Sequence, residues 1–169
     1  MPRIEVADDL GSWMSLQPDM APGLVALSEA VYGKSKLPLR VQELARMRIA
    51  LANGCEVCQN ARYAEAAEEN LDDAFYQNAL QWQTWLGYST RERLAAEYAE
   101  GYAQDHLALR DNQDFWTRMR ANFRDEEIVD LALCCTLWLG AGRTMRVLDV
   151  GQTCSLTMSR RPANQAISS

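Results

Sequence analysis

A glycine between two helical segments constrains the fold of this chain more than any other feature. The segment from Pro38 to Asn53 has helical periodicity, with apolar residues along one face. Asn53-Gly54 is a typical pair for the end of a helix, and Cys55-Glu56-Val57-Cys58 follows at once. An abrupt turn at Gly54 therefore predicts two antiparallel helices, the second starting at the cysteines and continuing to about Asn70.

The rest of the chain also has helical patterns. Alternating β-branched runs are nearly absent, and Ala, Leu, Glu, Arg and Gln dominate. Further helices are expected at 22–32, 71–86, 89–109, 112–123 and 125–139, with a last one between the Gly140-Ala141-Gly142 interruption and Gly151. We expect one all-α domain over residues 21–152, preceded by an irregular arm (1–20) and followed by a loose tail (153–169).

Charge and cysteine content narrow the possible functions. The 169-residue chain has a net charge of -6, which argues against binding to nucleic acid or anionic membranes. It has no signal-peptide pattern and no run of about eighteen apolar residues, so we expect a cytoplasmic protein without a membrane span. Five cysteines there are more typical of free or redox-active thiols than of structural disulfides. Cys134-Cys135, in an apolar helix, are expected to pack in the core.

The predicted helix pair brings four reactive or charged side chains to one height. At about 1.5 Å per residue, Glu43 lies roughly 15 Å before the turn and Arg62 roughly 12 Å after it. Cys55, Cys58 and Arg62 then share one helix face. The helix N-terminus and the Arg62 guanidinium both stabilise a thiolate, the form that attacks peroxides and disulfides. The pattern thus predicts a redox-active cysteine pair beside a Glu43–Arg62 ion pair.

Part of the chain resembles the carboxymuconolactone decarboxylase-like superfamily, and within it the AhpD-like alkylhydroperoxidases. The likeness rests on Leu37-Pro38, Glu43-Leu44-Ala45-Arg46-Met47-Arg48-Ile49-Ala50 and Asn53-Gly54-Cys55-Glu56-Val57-Cys58. The resemblance to the family is clear from Leu37 to Tyr63 and weaker from Asp125 to Val150. It implies an all-α, AhpD-like helical bundle that forms trimers or hexamers. It also implies an antioxidant peroxidase or disulfide oxidoreductase that uses a CxxC pair and a thiol reductant partner.

The resemblance also implies roles for single residues. Cys58 corresponds to the cysteine that meets the peroxide substrate, and Cys55 to its resolving partner. Glu43 corresponds to the family's glutamate, and we expect it to act as a base or as an electrostatic positioner. The family's relay histidine falls at Arg62 and a second histidine falls at Val57, so both are absent. Arginine cannot relay protons because it stays protonated in proteins, and we therefore assign Arg62 to thiolate stabilisation. No metal or flavin cofactor is implied.

Simpler interpretations stay open. The two cysteines could be packing residues or a zinc half-site, although structural zinc needs two further ligands with regular spacing. Glu43 could pair with Arg46 or Arg48 on its own helix. His106, the sole histidine, could supply the missing relay from another helix or subunit. The protein could also be a catalytically degenerate scaffold or ligand-binding protein of the same fold, or a lactone-type decarboxylase, although that branch lacks the CxxC pair.

Overall fold

The structure, a computed structural model, describes residues 1–161 and is mainly helical. The helices are α1 (Ala21–Lys34), α2 (Leu39–Asn53), α3 (Glu56–Asn60), α4 (Asp73–Gln77), α5 (Thr90–Gln104), α6 (His106–Asp111), α7 (Gln113–Asn122) and α8 (Asp125–Leu148). Within the described residues, the strands are β1 (Arg62–Tyr63) and β2 (Thr157–Met158), which pair in parallel. The expected mainly α-helical fold is confirmed.

Helix α2 is the centre of the fold, because it packs against α5 on one side and α8 on the other. Its apolar residues are buried on two faces. Ala45 and Ile49 belong to a core cluster shared with α5, α7 and α8, whereas Leu44 and Met47 belong to a second cluster with α4 and the two strands. Burying a large apolar side chain stabilises the fold by about 1.5–3 kcal/mol. Helix α2 is therefore held rigidly from both sides.

The N-terminal arm is irregular, as expected, with one 3-10 turn at Met14–Leu16. It lies against the end of α8. The Arg3 backbone N–H donates to the carbonyl oxygen of Leu148 at 2.9 Å, and the Asp8 carboxylate accepts from the Gly151 N–H at 2.6 Å. The first bond satisfies a carbonyl group that the helix end leaves free, and the second holds the chain just after the helix.

Several predicted helix boundaries are wrong. Helix α8 runs unbroken through Gly140-Ala141-Gly142, because packing against α2 outweighs the cost of about 1 kcal/mol per helical glycine. The helix expected at 71–86 is reduced to α4 and a 3-10 turn at Ala79–Gln81, and the one expected at 89–109 divides into α5 and α6 at Asp105. In the segment expected to be a loose tail, Thr157–Met158 forms β2, and Met158 is buried. Residues 162–169 of that segment lie outside the described residues.

Helix α8 is long and apolar enough to cross a membrane by length and composition, a segment that was not expected from the sequence. One such helix is weak evidence for a membrane span, since core helices meet the same criteria. Leu131, Cys135 and Leu137 on α8 are buried in the core. This packing accounts for part of the apolar character of α8, since 33% of its most apolar window is buried.

Candidate functional site

Cys55 and Cys58 form a disulfide where α2 gives way to α3. Gly54 ends α2 with a φ of +60°, a conformation that glycine adopts without strain, and its N–H bonds to the carbonyl oxygens of Ala50 and Leu51. Cys55 then precedes the first residue of α3, and Cys58 lies in its first turn. Their Cα atoms are 5.2 Å apart, which suits a disulfide. The turn predicted at Gly54 is confirmed.

The two sulfur atoms differ in their access to solvent. Cys55 has no exposed surface, whereas Cys58 is partly exposed and lines a cavity of about 800 Å³. Apolar and aromatic side chains from α1, α8 and the β2 segment form much of its wall: Tyr32, Leu137, Trp138, Met145, Leu156 and Met158. The volume is typical of a small-molecule site. A molecule in the cavity therefore meets Cys58, with Cys55 buried behind it.

A buried ion pair holds the disulfide segment against α2. Glu43 and Arg46 lie one turn apart, and two hydrogen bonds of 2.7 Å join the guanidinium to both carboxylate oxygens. Arg46 also donates to the carbonyl oxygens of Cys58 and, at 3.3 Å, Ala61. Burial alone would lower the pKa of Arg46, but the negative charge of Glu43 and the hydrogen bonds to its carboxylate raise it, so the guanidinium stays charged. We call this arrangement the Glu43–Arg46 clamp.

Three tyrosines lie near the clamp. Burial raises the pKa of Tyr32, Tyr63 and Tyr76, and the negative charge of Glu43 raises each further. Their hydroxyl groups therefore stay protonated at neutral pH. Tyr32 also lines the cavity, so its neutral side chain forms part of the wall.

The structure separates Arg62 from the predicted column of side chains. Helix α3 ends at Asn60, and Ala61 has an extended backbone, so Arg62 enters β1. Its guanidinium donates to the carbonyl oxygens of Gln59 and Ala61 at 2.8 Å and lies 3.8 Å from the centroid of the Tyr76 ring. The prediction of a helix that continues to Asn70 is wrong, because the Arg62 N–H donates to the carbonyl oxygen of Leu156, just before β2. The prediction that Arg62 shares a helix face with the two cysteines is therefore wrong as well.

The predicted Glu43–Arg62 ion pair is also wrong. Glu43 uses both carboxylate oxygens on Arg46, the partner that the simpler interpretation named. Arg46 is therefore the cation that contacts the Cys58 backbone and lines the cavity. It was not expected as a site residue, although it stands inside the segment that carries the family resemblance. Its i, i+3 spacing from Glu43 was the available signal.

Close packing of α8 against the disulfide was also missed. A Cβ atom on Gly142 would lie 3.4 Å from the Cys58 sulfur and 2.9 Å from the Asn53 amide nitrogen. Asn53 donates to the carbonyl oxygen of Trp138 at 3.1 Å and accepts from Arg143 at 3.0 Å. The glycine that was expected to interrupt the helix is thus a contact point between α8 and the redox pair.

The other candidate residues fall elsewhere. His106 is exposed at the start of α6 and does not line the cavity, so it cannot act as a relay within this protomer. Cys134 and Cys135 are buried free thiols, which confirms their expected place in the core. Among residues 1–161 there is no group of three or more His, Cys, Asp or Glu side chains arranged to hold a metal ion.

Comparison with known proteins adds to this geometry. The carboxymuconolactone decarboxylase family model matches residues 18–101, which include α1, α2 and the CxxC motif. No curated protein matches the chain. A solved structure from Agrobacterium tumefaciens, of a protein of unknown function suggested to be the antioxidant defence protein AhpD, has a TM-score of 0.72 and 20% sequence identity. The match covers 88% of this chain and 96% of that one, and at this identity it demonstrates a shared fold.

Proposed function

Because the chain belongs to the carboxymuconolactone decarboxylase-like superfamily, we propose that it is an AhpD-like, thiol-dependent peroxidase or disulfide oxidoreductase. One observation carries the proposal: the Cys55–Cys58 disulfide meets a substrate-sized cavity through Cys58. Two cysteines that lie within bonding distance at the start of one short helix can be reduced and reoxidised with little backbone movement. The suggested antioxidant role of the related Agrobacterium protein agrees with this chemistry.

In the proposed cycle, a dithiol reductant opens the disulfide and is itself oxidised to a disulfide, which leaves Cys55 and Cys58 as thiols. The Cys58 thiol loses its proton to water, and the resulting thiolate attacks a hydroperoxide oxygen. The O–O bond breaks, a sulfenic acid forms on Cys58, and the alkoxide takes up a proton and leaves as an alcohol. The Cys55 thiol condenses with the sulfenic acid, which forms the S–S bond and releases water. Two electrons thus pass from the reductant to the peroxide.

Of the two roles expected for Glu43, the geometry favours that of a positioner. Arg46 takes the place beside Cys58 that was expected for Arg62. Glu43 has no exposed surface and is saturated by Arg46, so we assign it a positioning role instead of that of a base. Arg46 holds the Cys58 carbonyl group, and Glu43 offsets most of the charge that its guanidinium brings to the cavity wall. Tyr32 lines the cavity and stays protonated, and we propose that it supplies the proton that the departing alkoxide needs.

Peroxide consumption with dithiothreitol as reductant tests the proposal. We expect Cys58→Ser to abolish turnover. Cys55→Ser should still react once and leave a Cys58 sulfenic acid, which dimedone traps and mass spectrometry detects. Cys154→Ser is the control, because Cys154 lies outside the cavity wall. Turnover that survives Cys58→Ser would reject the mechanism, and dimedone on Cys55 in the Cys58→Ser protein would reverse the assigned order.

A ligand-binding protein of the same fold is the second candidate, favoured by the absence of histidine from the cavity wall. The rate at which the reduced protein is alkylated at Cys58 distinguishes the two. A thiol that reacts fast near pH 7 supports the enzyme. One that reacts only above about pH 8.5, the ordinary thiol pKa, supports the binding protein.

We also propose that the chain forms a homo-oligomer, a trimer or hexamer, through α8. Val129, Leu133 and Val147 are 57%, 52% and 68% exposed and share one face of this helix. An apolar stripe of this kind is typical of a face that a second copy covers. Light scattering coupled to size-exclusion chromatography should give three or six times 19.1 kDa, and Leu133→Lys should shift the mass toward the monomer. A wild-type mass of 19.1 kDa would reject this proposal.

A further inference from the structure

The cavity wall is rich in positive charge although the chain as a whole has a net charge of -6. Five charged side chains line it: the cations Lys34, Arg46, Arg160 and Arg161, and the acid Glu29. Lys34 and Glu29 are exposed at the rim, where water and salt screen them. The Arg161 side chain is also exposed, at 55%, so the charge of the less exposed part of the wall depends on Arg46 and Arg160.

Two of these arginines already have carboxylate partners. Arg46 is saturated by Glu43 in the clamp. Arg161 pairs with Glu68 and lies 4.0 Å from Glu65. Neither guanidinium has a full charge to offer a bound molecule.

Arg160, directly after β2, differs from both. One terminal nitrogen donates to the side-chain oxygen of Gln42, which is itself fully buried, and its Nε atom is buried without a hydrogen-bond partner. Within residues 1–161, no carboxylate forms an ion pair with it. A partly dehydrated cation without an anion is unfavourable, and a ligand anion in the cavity would relieve this cost.

We propose that the cavity selects molecules with a carboxylate on an apolar body, and that Arg160 binds the carboxylate. Cys58 and Arg160 line the same cavity, and the wall that they share includes Tyr32, Trp138 and Met158. The favoured substrates are then hydroperoxides or disulfides with a hydrocarbon or aromatic body and a terminal carboxylate. The redox part of this statement rests on the proposed function, whereas carboxylate recognition concerns binding alone.

Isothermal titration of the oxidised protein tests this recognition without any turnover. Two matched pairs of unreactive probes are used, because the pairs differ in length: 4-isopropylbenzoate against 4-isopropylbenzamide, and octanoate against 1-octanol. We expect the carboxylate of at least one pair to bind about tenfold more tightly than its neutral partner, as a charge-assisted hydrogen bond allows. Arg160→Gln should remove the preference, and Arg160→Lys should retain part of it.

Arg161→Gln is the matched control, because this neighbouring arginine is already paired. It should keep the carboxylate preference. Equal affinity for both members of each pair, no measurable carboxylate binding, or a preference that survives Arg160→Gln would each overturn the proposal, as would a loss that Arg161→Gln reproduces. Circular dichroism and urea midpoints show whether a variant is folded. If Arg160→Gln is misfolded, the carboxylate preference of Arg160→Lys decides the outcome. A preference in a protein without peroxidase activity would reject the proposed function and leave this inference intact.

Discussion

The chain contains two cysteine pairs whose backbone settings give them different chemistry. Cys55 and Cys58 lie at a turn, are joined as a disulfide, and meet a cavity on one side. Cys134 and Cys135 are adjacent in the middle of α8, where consecutive side chains point about 100° apart around the axis, and both remain buried free thiols. The reactivity of a cysteine pair therefore follows from its access to the cavity and its place at the start of a helix. Proximity of two cysteines in the sequence is not sufficient.

The largest contrast should appear on oxidation. When the reduced protein receives one equivalent of peroxide, we expect a complete intramolecular Cys55–Cys58 disulfide and no bond between Cys134 and Cys135. Only the first pair combines access to the cavity with a bonding geometry. Peptide mass mapping after alkylation of the remaining thiols measures both. Oxidation of the α8 pair at the same peroxide dose would contradict this comparison.

We expect Cys58 in the reduced protein to be alkylated about a thousandfold faster than Cys134 or Cys135. Burial raises the pKa of the Cys134 thiol to about 12 and that of Cys135 well above its ordinary value. The thiolate is the reactive form, so a thiol with this pKa is ionised to about one part in 10⁴ at pH 8, against roughly a quarter for an ordinary one. With iodoacetamide on the reduced native protein, we expect Cys58 and the partly exposed Cys154 to react first.

The pH dependence of this labelling has a definite direction. Because the pKa of Cys134 is raised in the folded protein, the unfolded chain loses its thiol proton first, and stability falls above about pH 8.5. Labelling of Cys134 should therefore rise with pH and accelerate in urea. Rapid labelling of Cys134 at pH 7 in the native protein would show that the core is open there.

The region around Gly54 could be predicted from the sequence because its signals are local. Asn53-Gly54 terminates a helix through backbone geometry that only neighbouring residues determine, and the cysteine spacing follows directly. The family resemblance covers the same segment. The core role of Cys134-Cys135 was likewise visible from the apolar helix around them.

The positions of Arg62 and Arg46 could not be predicted in this way. Arg62 leaves the helical path because its backbone pairs with Leu156, more than ninety residues later in the chain, and no local pattern indicates that contact. Arg46 was assigned no role because its partners at Cys58 and Ala61 lie beyond the turn. The cavity was missed for the same reason, since its wall combines α1, α8 and the segment after Gly151.

The clamp should make the Cys55–Cys58 region depend on buried charge, whereas the α8 pair depends on apolar packing. We expect Glu43→Gln to destabilise the protein by about 3 kcal/mol, because it leaves Arg46 buried without its carboxylate. Urea unfolding measures this loss. Arg62→Gln should preserve most peroxidase activity, in contrast to Arg46→Gln.

An exposed ion pair provides the control for this stability effect. Glu97 pairs with Arg118 at 2.8 Å, but both side chains are partly exposed, at 28% and 43%. Glu97→Gln should therefore cost less than about 1 kcal/mol. If the two glutamine variants unfold at the same urea concentration, the clamp is no stronger than a surface ion pair.

A smaller effect than that of Glu43→Gln tests how closely α8 approaches the redox pair. In Gly142→Ala, the new Cβ atom would lie 2.9 Å from the Asn53 nitrogen and 3.4 Å from the Cys58 sulfur, so one of them must move. Overpacking of this kind costs about 1–3 kcal/mol, partly offset by the higher helix propensity of alanine. Gly140→Ala is the matched control, because nothing lies within 4 Å of the position that its Cβ atom would occupy. It should gain about 0.5–1 kcal/mol in urea unfolding. If Gly142→Ala is as stable as Gly140→Ala and the alkylation rate of Cys58 is unchanged, α8 does not pack tightly against this sulfur. The distinction between the two cysteine pairs would then rest on the turn at Gly54 alone.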